Sequence, residues 1–206
     1  MAHIKIGNSL PGILGLLYYK PSTGKALSRF TQTLMRGPSS LTSSERELIA
    51  AHVSSLNDCT FCHRSHAAAA TAYLEDDGRT TACMMEDLDT APLSDRMKAL
   101  LRVAAQVQQG GRRVAAEHVL AARQAGASDE DLHDTVLVAA AFCMFNRYVD
   151  GLGTSLPASN NDYVTMGQRL ASKGYGYPPF FLRKFVVRMM EKTFSRDRRK
   201  AEVVAE

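Results

Sequence analysis

The sequence lacks a hydrophobic run long enough to cross a bilayer. Its most apolar stretch, residues 136–145, is well under the ~20 residues that a membrane-spanning helix needs. The apolar run at residues 13–19 is short, contains Gly15 and has no small-residue cleavage site after it, so it is a poor signal peptide. We therefore expect a cytoplasmic protein that does not bind a membrane.

Cysteine and uncompensated charge are also scarce. Four cysteines in 206 residues do not suggest a disulfide framework in a reducing compartment, where a closely spaced pair favours redox chemistry or metal binding. The net charge of +4 comes largely from a basic cluster at residues 196–200. We interpret this cluster as a solvated tail, so charge gives no case for nucleic-acid binding.

The alternation of apolar and polar residues that marks strands is nearly absent, and helical spacing recurs instead. Residues 1–176 are therefore expected to form an all-α, single-domain helical bundle. The helix that contains residues 136–145 is apolar on all sides, which predicts that it is the most buried element. A Gly/Pro hinge then leads to a C-terminal helical arm with a basic tail, residues 177–206. The arm either folds back or packs at a subunit interface, and we slightly favour the interface.

The segment from Cys59 to His66 reads CTFCHRSH. If a helix begins at Cys59, then Cys59 and Cys62 lie one turn apart, with a Cα separation of about 5–5.5 Å that a disulfide tolerates. His66 follows Cys62 by four residues and lies on the same stripe. The helix N-terminus is expected to lower the pKa of a thiol placed there. The imidazole can accept and return a proton near neutral pH.

These residues supply the parts of a thiol peroxidase. One thiolate attacks the peroxide and becomes a sulfenic acid, a second thiol condenses with it to a disulfide, and an external dithiol reduces that disulfide. Glu47 has two open interpretations. It is a capping-box partner of Ser44 by spacing. It also heads a stripe of small residues that would let a neighbouring helix bring His66 close, where the carboxylate would orient the imidazole.

Glu47, the pair Cys59-x-x-Cys62 and His66 together resemble the signature of the alkylhydroperoxidase D family, within the carboxymuconolactone decarboxylase superfamily. Eleven residues separate the glutamate from the first cysteine, and three separate the second cysteine from the histidine. The amino-acid sequence at residues 45–51 and 65–69 also resembles that of the family. Residues 145–153 resemble a helix end in the longer, peroxidase-related branch of the family.

The resemblance implies an all-helical oligomer, a dimer, trimer or hexamer, that acts as a thiol-dependent alkyl hydroperoxide reductase. It implies that Cys62 is the peroxidatic cysteine and Cys59 the resolving one, with Glu47 and His66 as the proton relay. No cofactor is implied. The expected partners are a small-molecule hydroperoxide and a dithiol reductant protein of the dihydrolipoyl or thioredoxin-like kind.

One position departs from the family's peroxidase prototype, which has a histidine directly before its second cysteine. Here that position is Phe61, and a histidine follows instead at His63. The departure predicts a simpler relay or a weaker activity.

Several alternatives stay open at this point. Cys59-x-x-Cys62-His63 is also the attachment string of c-type haem, although that attachment usually takes place outside the cytoplasm. The two cysteines with His63 and His66 are zinc-ligand types, although four ligands on barely two helical turns cannot easily surround one ion. Three other candidates are a disulfide oxidoreductase or redox sensor without peroxide turnover, a carboxymuconolactone decarboxylase-like enzyme, and a helical oligomer with inert thiols.

Overall fold

The computed structural model describes the backbone of residues 2–204 and the side chains of residues 2–195. Over the described backbone the chain forms helices and turns but no strand, which confirms the all-α class. The helices in chain order are α1 Gly12–Tyr19, α2 Pro21–Arg36, α3 Ser43–Leu56, α4 Thr60–Leu74, α5 Arg79–Glu86, α6 Asp95–Gln109, α7 Ala116–Gln124, α8 Asp129–Gly151, α9 Asn160–Lys173 and α10 Arg183–Val204. Short 3-10 turns, Gly111–Arg113 and Phe180–Leu182, precede α7 and α10. No helix within residues 2–204 has the length and apolar character needed to cross a membrane.

Helix α3 lies at the centre of the bundle. Eight of its 14 residues are buried, because α4, α6 and α8 all pack against it. Ala50 and Ala51 are fully buried, and their small side chains let the neighbouring helices come close. The ring nitrogen Nδ1 of His63 in α4 lies 3.4 Å from the carbonyl oxygen of Ala51. The close approach of a neighbouring helix that the small residues predicted is therefore present.

The prediction that residues 136–145 form the most buried element was wrong. They belong to α8, which packs against α3 and α6 along one side. Val136, Leu137 and Met144 stay between 37% and 46% exposed. The apolar pattern alone did not distinguish a helix surrounded by neighbours from a helix that presents an apolar face to the outside.

The capping box of α3 lies two residues earlier than Ser44 and Glu47. The hydroxyl of Thr42 accepts a hydrogen bond from the Glu45 amide at 3.2 Å, and the Glu45 carboxylate accepts one from the Thr42 amide at 2.8 Å. The capping role considered for Glu47 was therefore wrong, because Glu45 fills it. Glu47 lies further into the helix, and its side chain is directed into the interior.

Helix α9 packs closely on α4 through Gly167. A Cβ atom on Gly167 would lie 2.4 Å from the carbonyl carbon of Ala68, so only glycine fits between the two backbones. We expect Gly167→Ala to lower the free energy of unfolding by about 1–3 kcal/mol, because the helices must separate. The control is Gly151→Ala in α8, where a Cβ meets no atom within 4 Å. Thermal unfolding followed by circular dichroism tests this, and equal Tm shifts for the two variants would contradict it.

The C-terminal arm folds back on its own chain along one side of α10. Met190 is buried, and the Glu191 carboxylate accepts hydrogen bonds from the Ser9 amide and hydroxyl at 2.8 and 3.2 Å. Three phenylalanines of the arm remain largely exposed, namely Phe180, Phe181 and Phe185. The predicted boundary between residues 176 and 177 and the predicted subunit contact stay predictions. The side chains of the basic cluster at residues 196–200 lie outside the described part.

Candidate functional site

Cys59 and Cys62 lie at the start of α4, as the spacing predicted. Cys59 is the N-cap residue, and its carbonyl oxygen accepts the first helical hydrogen bond, from the His63 amide at 2.9 Å. Cys62 follows within the first turn. Both thiols are free, and the two side chains lie close enough for Cys59 to raise the pKa of Cys62. The fold therefore holds two reduced sulfurs next to one another.

The prediction of a lowered thiol pKa was wrong for Cys62. Its hydrogen bond with Cys59, its burial and the charge that Cys59 carries when ionised all raise the pKa of Cys62. A hydrogen bond from Asn146 in α8 acts in the opposite direction, but it does not outweigh them. Cys59 is 0% exposed and Cys62 only 3%. Cys62 therefore rests as a neutral thiol and needs a base to remove its proton.

His66 is the base that lies nearest in the helical register, one turn after Cys62. Its Nδ1 atom lies 2.6 Å from Oε2 of Glu47, whose side chain is fully buried. An ionised carboxylate only accepts hydrogen bonds, so Nδ1 carries the proton and donates it. The other nitrogen, Nε2, is then unprotonated in the neutral ring and can accept a proton. The structure thus brings Glu47 and His66 together, as the stripe of small residues predicted.

Glu47 has two further partners that sequence reasoning did not assign. Arg36 donates from a terminal nitrogen to Oε1 at 2.5 Å, and the Tyr175 hydroxyl donates to the same oxygen at 2.6 Å. Burial opposes ionisation of Glu47, but four effects lower its pKa overall: the charge that His66 carries when protonated, the hydrogen bond of His66, the charge of Arg36 and the hydrogen bond of Tyr175. The carboxylate is therefore ionised at neutral pH, and the positive charge of Arg36 balances its negative charge inside the protein.

Nothing in the local sequence identified Arg36 or Tyr175 as part of the site. Arg36 is the last residue of α2, a position where a basic side chain is ordinarily explained by the helix dipole. Tyr175 lies between two glycines of the hinge, where no local pattern distinguishes a site residue from a packing residue. Only the tertiary fold brings both side chains to α3.

A cavity of about 240 Å³ lies beside Cys62 and His66. Its wall is mostly apolar and is contributed by α1, α2, α4, α8, α9, the hinge and α10. Residues of α10 that line it include Met189, Met190 and Phe194. The C-terminal arm therefore forms part of the cavity wall within the same chain.

Phe61, which stands where the family's prototype has a histidine, is a packing residue in this structure. Phe61 is buried beside Tyr163, and a Cβ on Gly12 would lie 2.3 Å from the Phe61 ring. Gly12 has a φ of 55°, a left-handed conformation that glycine adopts without strain. The Phe61 ring therefore packs directly on the glycine of α1.

His63, Arg147 and the other two cysteines have different surroundings from the cysteine pair and His66. The ring of His63 faces the backbone of α3 at Ala51, so it does not join Cys62 and His66 around one point. Among the described side chains, no three His, Cys, Asp or Glu residues lie close enough to hold a metal ion. Arg147 is exposed and donates to the Cys143 carbonyl of its own helix at 2.8 Å. Cys143 and Cys83 are partly buried against the core.

The fold and the site together define a helical-bundle protein with a cysteine pair beside a buried glutamate–histidine pair. The chain belongs to the carboxymuconolactone decarboxylase family, whose sequence model matches residues 21–85 and 78–153. This confirms the resemblance inferred from the motif. The match ends at residue 153, so α9, the hinge and α10 lie beyond it.

Two solved structures are similar over most of the chain. An uncharacterized peroxidase-related protein from Silicibacter sp. TM1040 is 28% identical, with a TM-score of 0.65 over 70% of this chain and 75% of that chain. An alkylhydroperoxidase AhpD core, an uncharacterized peroxidase-related protein from Ralstonia eutropha JMP134, is 26% identical, with a TM-score of 0.68 over 77% and 82%. A comparison with curated proteins gives no match.

Proposed function

We propose that the protein is a thiol-dependent hydroperoxide reductase in which Cys62 attacks the peroxide. The observation that carries the proposal is that Cys62 and His66 line one cavity while Cys59 touches Cys62 and Glu47 holds His66. A nucleophile, a base, a second thiol and room for a substrate are therefore adjacent. The peroxidase-related names of the two similar structures support this class of activity.

In the first chemical step, the unprotonated nitrogen of His66 acts as the base that the neutral Cys62 thiol needs. His66 Nε2 takes the thiol proton, and the Cys62 sulfur attacks the terminal oxygen of the hydroperoxide. The S–O bond forms as the O–O bond breaks, and the departing alkoxide takes the proton from His66. The sulfur is oxidised by two electrons to a sulfenic acid, and the peroxide is reduced to an alcohol.

The second step forms a disulfide between the adjacent sulfurs. The Cys59 sulfur attacks the Cys62 sulfur, and the hydroxyl group leaves as water with the proton of Cys59. An external dithiol then returns two electrons and two protons by thiol–disulfide exchange. Cys59 is fully buried, so a slender dihydrolipoyl group entering through the cavity suits this site better than the surface dithiol of a thioredoxin-like protein.

The cavity favours an organic hydroperoxide over hydrogen peroxide. At about 240 Å³ it is larger than the ~150 Å³ apolar cavity that binds benzene in an engineered protein. Its apolar wall gains free energy by covering apolar substrate surface, at about 25 cal/mol per Å². Hydrogen peroxide has no such surface. We therefore propose a substrate with a ring or a branched alkyl group next to the hydroperoxide.

Location and assembly complete the proposal. Free, adjacent thiols that cycle through a disulfide fit a reducing compartment, so we propose that the protein is cytoplasmic. The apolar face of α8 and the phenylalanines of the arm are exposed in a single chain. They would be covered in a homo-oligomer, for which a dimer, trimer or hexamer is proposed.

The direct test counts thiols and measures mass after one equivalent of cumene hydroperoxide. The titratable thiols of the denatured protein should fall from four to two, and the intact mass should drop by about 2 Da as one disulfide forms. Four remaining thiols and an unchanged mass would contradict peroxide reduction. Disulfide formation by a disulfide reagent but not by the hydroperoxide would instead indicate disulfide exchange.

A further inference from the structure

Tyr175 reaches the glutamate–histidine pair from a part of the chain beyond the family match. Its hydroxyl donates to Glu47 Oε1 at 2.6 Å, and the hydroxyl oxygen lies 3.3 Å from His66 Nδ1. Its ring is nearly parallel to the imidazole of His66, with an interplanar angle of 13°. One side chain therefore contacts both members of the pair.

The hinge backbone fixes Tyr175 in this position. Its amide donates to Oε1 of Gln32 in α2 at 2.6 Å. The preceding residue, Gly174, ends α9 with a φ of 65°, and a Cβ there would lie 2.5 Å from the same Gln32 oxygen. A residue with a side chain would be strained at this conformation and would collide with Gln32. The chain is thus built to turn here and direct Tyr175 inward.

The Tyr175 ring also covers Arg36, the second partner of Glu47 Oε1. The Arg36 guanidinium lies 5.0 Å from the Tyr175 ring centroid and 5.2 Å from the Tyr73 ring centroid, so it is held between two rings. The Tyr73 hydroxyl donates to the Ala171 carbonyl at 2.9 Å. The two tyrosines therefore make similar contacts with Arg36, but their hydroxyl groups have different partners.

We infer that Tyr175 is a positioning residue that controls how readily the Glu47–His66 pair takes up a proton. Its hydroxyl withdraws negative charge from the carboxylate, which makes an imidazolium at His66 less favourable. Burial and the charge of Glu47 raise the pKa of Tyr175 well above its ordinary value, so the hydroxyl stays protonated and remains a donor. The consequence for turnover rests on the proposed function, whereas the effect on protonation does not.

Other charged or titratable groups around His66 come from four helices. These are Arg36 from α2, Glu47 from α3, Cys62 and His63 from α4, and Asp162 and Arg169 from the α9 wall of the cavity. Helix α8 contributes the uncharged ring of Phe142, edge-on at 4.5 Å. Replacing the Tyr175 hydroxyl leaves all of these groups in place.

The test is Tyr175→Phe, which keeps the ring over His66 and Arg36 and removes only the hydroxyl. Without that donor the carboxylate attracts a proton on His66 more strongly, so the imidazole should titrate at higher pH than in the wild type. Imidazole ¹H–¹⁵N NMR across a pH series measures this midpoint, with His66→Asn assigning the resonance. We expect an upward shift of about half a pH unit or more, and an unchanged or lower midpoint would overturn the inference.

Peroxide turnover provides the second readout. With cumene hydroperoxide, Tyr175→Phe should slow thiol oxidation about tenfold at neutral pH, the size of effect typical of a lost orienting partner. The acid limb of the rate profile should move to higher pH with the NMR midpoint. Tyr73→Phe is the matched control and should leave both pH midpoints in place. If Tyr175→Phe oxidises its thiols more slowly but the acid limb of its pH–rate profile stays at the wild-type pH, then Tyr175 has only a packing role. If Tyr175→Phe raises the NMR midpoint but the wild-type protein consumes no peroxide, the proposed function is refuted and the inference about Tyr175 stands.

Discussion

Cys62→Ser is expected to abolish hydroperoxide reduction, with a loss on the order of 10³-fold or more, since removing an enzyme's nucleophile costs up to about 10⁶-fold. A serine hydroxyl cannot be oxidised to a sulfenic acid, so neither the S–O bond nor the disulfide forms. Initial rates of cumene hydroperoxide consumption with a dihydrolipoyl donor measure the loss. Retention of more than about a tenth of the activity would show that Cys62 is not the attacking sulfur.

Cys59→Ser should behave differently, because Cys62 can still react once. The mass should rise by about 16 Da as the sulfenic acid forms, and turnover should then stop because no second thiol condenses with it. Cys83→Ser is the matched control, since Cys83 is partly buried on α5, away from the cavity. If the oxygen adduct formed instead in Cys62→Ser, the roles proposed for the two cysteines would have to be exchanged.

The local pattern was enough to place the cysteine pair, and the reason is physical. Residues within one helical turn have their separation set by helix geometry, so Cys59, Cys62 and His66 could be related before any tertiary contact was known. The approach of Glu47 also followed, because small residues on α3 permit a close neighbour. What the sequence missed is the partner set of Glu47, since Arg36 and Tyr175 come from 11 residues before it and 128 residues after it.

The pKa of Cys62 shows why geometry along one helix was insufficient. The dipole at a helix N-terminus does favour a thiolate, but its effect competes with burial and with a second thiol in contact. The sequence shows that a second thiol is one turn away but not that 97% of the surface of Cys62 is covered. The burial of α8 was misjudged for the same reason, because the neighbours of a helix are set by tertiary packing.

Glu47→Gln is expected to cause the largest loss of stability, because it leaves Arg36 without its buried counter-charge. Breaking a buried ion pair by removing one partner costs about 3–5 kcal/mol. Activity should also fall by about 10²–10⁴-fold, since His66 loses the carboxylate that fixes its Nδ1 proton and stabilises the imidazolium. The matched control is Glu45→Gln, two residues earlier on α3, where the side chain serves the helix cap and pairs with Arg96. That variant should lose no more than about 1 kcal/mol and keep the wild-type rate.

The loss of stability in Glu47→Gln should depend on pH in a definite direction. Burial opposes ionisation of Glu47, but His66, Arg36 and Tyr175 together lower the pKa of the folded-state carboxyl below its ordinary value. The folded protein therefore binds a proton at Glu47 less tightly than the unfolded chain does, because glutamates in an unfolded chain titrate at about pH 4.3. The stabilisation is complete above that pH and is lost as the pH falls through the lower folded-state pKa.

Urea unfolding at neutral pH and at several acidic pH values should therefore show the gap between wild type and Glu47→Gln narrowing with acid. The glutamine variant has no carboxyl to titrate at this position, so it loses less stability over the same range. A gap that stays constant would mean that folding does not change the pKa of Glu47, whereas a gap that widens with acid would mean that Glu47 is neutral in the folded protein at neutral pH. In that case His66 would be held by a carboxylic acid rather than a carboxylate, and the proton transfer proposed for Cys62 would lose the negative charge on which it depends.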